Sequence, residues 1–111
     1  MKQGEIWLVN YPKGLGHEYF KERPALMIES NEQIQKTNIL TIMAITSRTD
    51  NQVDFDILVL KNNFNNLHSN SVLKCHHITG FDKSRFIKRI GKIEEKDFEK
   101  VKQYLKIHFG I

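Results

Sequence analysis

The sequence has few of the residues that staple or punctuate a chain: one cysteine, Cys75, and two prolines among 111 residues. A lone thiol excludes an internal disulfide framework and fits a reducing compartment. There is no Cys-x-x-Cys and no His-x-x-x-His spacing, so the usual sequence signatures of a zinc centre are missing. Long apolar runs are missing too. The longest, Ile39–Ile45, is interrupted by Thr41 and falls far short of the ~20 residues that span a bilayer. The start, Met1-Lys2-Gln3-Gly4-Glu5, reaches an acid before any apolar stretch, so no secretory signal is expected and the cytoplasm is the default location. Neither a repeat nor a linker breaks the chain, and at ~100–200 residues per domain residues 1–111 read as one domain.

Charge is present but unevenly spread. The formal net charge is +4. Residues 1–73 carry 7 basic and 8 acidic side chains, whereas residues 74–111 carry 10 and 5. The whole excess lies in the last third, which permits a polyanionic partner without specifying one.

Most of the chain reads as strands. Glu5–Tyr11 is rich in β-formers and stops at Pro12. Lys13–Glu22 holds Gly14, Gly16 and several charges and reads as a loop. Ala25–Ile28 and Ile39–Ile45 are apolar throughout or nearly so, as strands buried on both faces are. Val53–Leu60 opens with strict alternation, the pattern of a half-exposed strand. Asn62–Asn66 is turn material, and Ser71–Leu73 and Phe86–Ile90 are short strands. The period then changes: Phe98, Val101, Leu105 and Phe109 form one helical stripe, with acids early and lysines late as the helix dipole favours. Short strands followed by one amphipathic helix predict a mostly β chain of the α+β class, a small antiparallel barrel or sheet carrying a C-terminal helix.

Four stretches could carry chemistry. Gly16–Pro24 gathers His17, Glu18, Lys21 and Arg23 in a glycine-flanked loop, and Pro24 biases Arg23 towards extended backbone. A guanidinium so held can grip a phosphate as a fork; a solvated charged loop is the plainer reading. Thr46, Ser47 and Arg48 end an apolar strand, where hydroxyls either donate to an anion or cap a turn. Cys75 of Lys74-Cys75-His76-His77, taken with His68, His76 and His77, invites a metal hypothesis, but alternation along a strand sends His76 and His77 to opposite faces. A small buried cysteine is the default there, and no metal is expected. Lys83 and Arg85, followed by Lys88, Arg89 and Lys92, either line a groove for an anionic backbone or form the wet face of a strand.

Taken in order, these segments resemble the MazF/PemK/Kid family of type II toxin–antitoxin toxins. The resemblance runs from Gly4-Glu5-Ile6-Trp7-Leu8-Val9 through Gly16-x-Glu18-x(4)-Arg23-Pro24 and the strand end Ile45-Thr46-Ser47. It continues with Asn70-Ser71-Val72-Leu73, with Asp82-Lys83-Ser84-Arg85-Phe86 and with a closing helix over 94–105. It implies an SH3-like (CcdB/PemK-like) barrel and a homodimer. The implied activity is metal-independent, sequence-specific cleavage of single-stranded mRNA, with no cofactor, restrained by a cognate antitoxin. Operator DNA would be bound only by the toxin–antitoxin complex. The same resemblance makes Arg23, Thr46 and Glu18 catalytic candidates, imidazole chemistry adds His17 as an acid or base, and Lys21, Ser47, Arg48, Lys74, His76, His77, Lys83 and Arg85 are the RNA-binding candidates. Where the PemK/Kid branch has Arg-Cys-Asp-Gln this chain has Lys74-Cys75-His76-His77, and an arginine two places on is Thr79. Lys74 keeps the charge and loses the fork; His76 moves protons but is no permanent anion. Two alternatives stay open: a CcdB-like toxin that binds DNA gyrase without cutting RNA, and a degenerate member that binds RNA or antitoxin only.

Overall fold

The computed structural model describes residues 1–12, 21–50 and 52–111. Six strands form one antiparallel sheet: β1 (Glu5–Tyr11), β2 (Lys21–Met27), β3 (Ile39–Thr46), β4 (Ile57–Val59), β5 (Ser71–Asp82) and β6 (Phe86–Lys92). Their order across the sheet is β4-β5-β3-β2-β1-β6. Helix α1 (Asn31–Ile34) links β2 to β3, and helix α2 (Glu95–Phe109) closes the described chain.

The apolar runs in β2 and β3 have the expected cause, since both faces of these strands are covered. Leu26, Met43 and Ile45 join Leu73, Cys75 and Val101 in one core cluster, against which Phe98, Tyr104 and Leu105 of α2 pack. Ala25, Met27 and Ile42 join Val9, Phe81 and Phe86 in a second. Helix α2 uses Phe98, Val101 and Leu105 of its stripe as expected, but Phe109 is 60% exposed beyond the core. Gly110 then ends the helix in the left-handed conformation that favours glycine.

The sheet curls into a half-barrel, and the asparagine-rich segment closes the curl. Asn65 is buried: its Nδ2 donates to the Leu60 carbonyl at 2.9 Å, and its Oδ1 accepts from Leu67 N at 3.0 Å. Asn66 Nδ2 donates to Ile90 O, and Lys92 N to Phe64 O, so this segment is strapped to β6. What composition marks as a mere turn is the clasp between the two ends of the sheet.

Three sequence expectations need correction. Val53–Asp56 does not extend β4; it folds as a turn in which Asp56 Oδ2 accepts from Val53 N at 3.0 Å and Asp56 N donates to Val53 O. A side chain able to cap a turn outweighed the alternating pattern. Strand β5 does not stop at Leu73 but continues to Asp82. Strand β2 starts at Lys21, inside the stretch expected to be loop, and puts Arg23 and Pro24 on the sheet.

Candidate active site

The site begins where β2 and β3 part. Their ladder pairs Met27 with Ile42, Leu26 with Met43 and Ala25 with Ala44, and stops there. The next residue on β2 is Pro24, which has no N–H to give. Continuing the register would set Arg23 opposite Thr46, but the strands have separated. Between them opens a cleft of about 500 Å³ lined by Arg23, Pro24, Thr46, Ser47 and Arg48. Its opposite wall comes from the segment held by the asparagine clasp: Leu67, His68, Ser69 and Ser71. Leu8, Glu22 and Ile45 complete it.

Within the cleft the chemistry is that of an anion site. Arg23 is exposed on β2, and no ion pair to it is recorded among the described residues. Arg48 has Asp50 at 3.9 Å, both side chains 68% exposed, a pair too solvated to hold either firmly. Thr46 is half-buried, and its Oγ1 accepts from Arg48 N at 3.2 Å, so the hydroxyl shapes the turn after β3 while facing the cleft. Ser71 Oγ donates to Ser69 O. Two guanidinium groups, hydroxyls and the His68 imidazole thus line one cavity of a size to take a phosphodiester.

A second constellation stands on β5. Along β3, Met43 pairs with Ile78 and the next residue, Ala44, pairs with Lys74. Three residues of β5, Cys75, His76 and His77, are therefore extra to the ladder. This bulge overturns the expectation that alternation separates the two imidazoles, whose ring centroids lie 4.0 Å apart. Lys74 Nζ reaches Asp56 Oδ2 at 2.5 Å, and His76 Nδ1 lies 3.9 Å from Asp56 Oδ1. Phe55 packs its ring on His76 at 4.8 Å. Cys75 beneath them is fully buried; burial first, and the Asp56 charge second, push its thiol up to about 12. It is a core side chain and not a nucleophile. Among the described residues no three His, Cys, Asp or Glu side chains are placed to share a metal ion.

The structure therefore unites Arg23, Thr46, Ser47 and Arg48, and unites Lys74, His76 and His77 separately. Lys83 and Arg85 belong to neither group. They form a 3-10 turn in which Arg85 Nη1 donates to Asn10 O at 3.1 Å. Val9 pairs with Arg23 on one side and Phe86 on the other, which sets this turn two strand spacings, ~10 Å, from Arg23. Lys21 is exposed at the start of β2 and does not line the cleft. His17 and Glu18 lie outside the described residues. Sequence reasoning missed His68 as a cleft residue and Asp56 altogether. In the sequence His68 figures only as a possible metal ligand beside Cys75, and Asp56 is hidden in an alternating pattern.

The chain matches, over residues 2–109, the model of a family described as PemK-like, MazF-like toxin of type II toxin–antitoxin system. It is 24% identical over 117 residues to endoribonuclease MazF9 of Mycobacterium tuberculosis, covering all of this chain and 98% of that protein. Among solved structures it resembles MazF from Deinococcus radiodurans with a TM-score of 0.82 at 21% identity, over 100% of this chain and 97% of that one. It also resembles a mycobacterial endoribonuclease solved with its cognate antitoxin, with a TM-score of 0.76 at 14% identity, over 100% and 96% of the two chains.

Proposed function

The chain belongs to the PemK-like, MazF-like toxin family of type II toxin–antitoxin systems, and on that premise we propose that it is an endoribonuclease toxin that cuts single-stranded mRNA. The observation that carries this reading is the cleft between β2 and β3, in which Arg23, Arg48 and the Thr46 and Ser47 hydroxyls converge. The relative named endoribonuclease MazF9 supports the activity, and the relative solved with its antitoxin supports the partner.

The chemistry follows from RNA itself. The ribose 2′-OH attacks the adjacent phosphorus while a base takes its proton. The P–O5′ bond breaks as an acid protonates the leaving oxygen, giving a 2′,3′-cyclic phosphate and a 5′-OH. The nucleophile belongs to the substrate, so the protein supplies proton transfer and stabilisation of the charge that develops on the phosphorane. Arg23 presents two N–H groups to the phosphate oxygens. The Thr46 and Ser47 hydroxyls donate beside it. The resemblance gives Arg23 a part in proton transfer and makes Glu18 a base or positioning group, imidazole chemistry makes His17 an acid or base, and the cleft adds the His68 imidazole as a further proton carrier. The surplus lysines and arginines of residues 74–111 attract the strand. A homodimer, a cognate antitoxin over the RNA groove, operator DNA bound only through that complex and a cytoplasmic location complete the proposal. Among the described residues no helix is long and apolar enough to cross a membrane. The gyrase-binding alternative is not favoured, because the matching family model is that of the PemK-like and MazF-like toxins.

The test is purified protein with a defined single-stranded RNA in EDTA. Cleavage at short fixed motifs, leaving a 5′-OH and lost when the ribose 5′ to the scissile phosphate is 2′-deoxy, is the expected result. Intact RNA overturns the reading.

A further inference from the structure

We propose that Arg48 selects the RNA by its base, forking onto the O6 and N7 acceptors of a guanine next to the scissile phosphate; this rests on the endoribonuclease reading. The β2–β3 cleft holds two arginines and about 500 Å³, more than one phosphate fills. A phosphodiester carries one negative charge and two non-bridging oxygens, and a single guanidinium fork takes both. The two arginines are not equivalent. Arg23 shares the cleft with the Thr46 and Ser47 hydroxyls, and no carboxylate, Glu22 included, lies within ion-pair distance of it among the described residues. Arg48 has the Asp50 carboxylate 3.9 Å from its Nη2. Both side chains are 68% exposed, so the pair is readily exchanged for a ligand. The carboxylate stays nearby when that happens, and a phosphate on Arg48 would meet a like charge. Arg23 is thus the arginine for the anion, and Arg48 the arginine for a neutral partner that offers acceptors. Because both line one cleft, that partner is the base of a nucleotide flanking the phosphate on Arg23.

The local backbone holds Arg48 for this task. Thr46 Oγ1 accepts from Arg48 N at 3.2 Å, a hydroxyl-to-backbone bond that fixes the chain just after β3. The long side chain therefore starts from a set point in the cleft wall while its guanidinium stays exposed to a ligand. Unpaired RNA offers its bases on their Watson–Crick and Hoogsteen edges. Guanine alone sets two acceptors, O6 and N7, side by side on the Hoogsteen edge, and arginine on that pair is the commonest specific base contact. Adenine has its N6 amino group in the place of O6 and meets the fork donor to donor. Cytosine puts its N4 amino group on that edge, and uracil has one acceptor there, O4. Guanine also carries the N1–H and N2–H donors next to O6, and the Asp50 carboxylate is an acceptor suited to them. The Arg48–Asp50 pair thus matches, donor for acceptor and acceptor for donor, the groups that guanine displays.

The experiment measures kcat/KM on a set of single-stranded RNAs of one length that differ only in the nucleotides flanking the cut. Each guanine is then replaced in turn by 7-deazaguanine, which lacks the N7 acceptor. Wild type is compared with Arg48→Ala and Arg48→Lys; the side chain is exposed, and urea midpoints verify that both variants fold as wild type does. Wild type should require guanine at one flanking position and lose about tenfold when that guanine is the 7-deaza form, as for one arginine–guanine fork. Arg48→Ala should lose a similar factor on the guanine RNA, become indifferent to the 7-deaza change and cut a broader set of sequences. Arg48→Lys should not restore the preference, since an ammonium has no fork. A wild type that cuts without a guanine requirement overturns base reading by Arg48 and leaves the nuclease reading in place. So does an Arg48→Ala variant that slows every RNA by one factor and keeps the 7-deaza effect. A wild type that leaves the whole set intact overturns the endoribonuclease reading, and the selection of guanine with it.

Discussion

Gly91 of β6 lies directly against the backbone of Asn65: a Cβ built on Gly91 would stand 2.4 Å from the Asn65 carbonyl oxygen. No side chain fits there without moving backbone, so glycine at 91 is what lets the asparagine clasp seat on β6. Because the same segment continues into Leu67, His68 and Ser69, one wall of the cleft depends on that contact.

Gly91→Ala should accordingly destabilise the fold by about 1–3 kcal/mol, the range for overpacking a tight site, as read from urea midpoints. RNA cleavage should fall as well, because the His68 wall shifts relative to Arg23. A variant with wild-type midpoint and activity would show that the clasp yields without consequence.

Arg23→Ala should leave the circular dichroism spectrum and urea midpoint close to wild type, since the side chain is exposed. Cleavage should drop by about 10²–10³-fold, the cost of losing a main charge-stabilising donor. Arg23→Lys should recover only a minor part, because an ammonium cannot reproduce the fork. Full activity in either variant would remove Arg23 from the site.

Glu5 ties the N-terminus to β6. Burial alone would raise its pKa, but bonds from Trp7 Nε1 and Lys2 N and the nearby Arg89 guanidinium outweigh that and hold it below the usual carboxylate range. The sign follows: the ionised form stabilises the fold at neutral pH, and that contribution fades as pH falls through the carboxylate range. Glu5→Gln should cost about 1–3 kcal/mol at pH 7, with the gap to wild type narrowing below about pH 4. Urea titrations at several pH values would read this, and a pH-independent gap would contradict it.

Cys75, with a thiol pushed up to about 12 and no exposure, should resist thiol reagents at pH 7–8 in the native protein and react at once in urea. Rapid labelling of the native chain would mean that β5 opens far more readily than its packing implies.

Much of the fold was legible because burial on two faces leaves a plain trace. Ala25–Ile28 and Ile39–Ile45 are apolar at nearly every position since each face meets a core cluster. Helix α2 announces itself by its stripe and its charge order. Strand β5 was obscure beyond Leu73 because Lys74, His76, His77, Thr79 and Gly80 carry no alternating pattern, and the three-residue bulge breaks what alternation there is. Asp56 was read as a strand position because its cap on Val53 N depends on where a side chain points, and residue order does not contain that. In the site, Arg23 and Thr46 were legible from a proline that restrains one and a strand end that presents the other. His68 was not, since 45 positions separate it from Arg23 along the chain.

The sequence alone thus determined which segments are strands buried on both faces, where the helix runs, and that a guanidinium restrained by a proline and a hydroxyl at a strand end are candidates for one site. Those properties follow from local backbone preference and the periodicity of burial, and both are written in neighbouring residues. Tertiary structure alone decided that β2 and β3 part at Pro24, that the asparagine clasp brings His68 to the cleft, and that Asp56 lies beneath Lys74 and His76. Each of these depends on sheet register, curl and a bulge, and these are set by which distant surfaces can pack together.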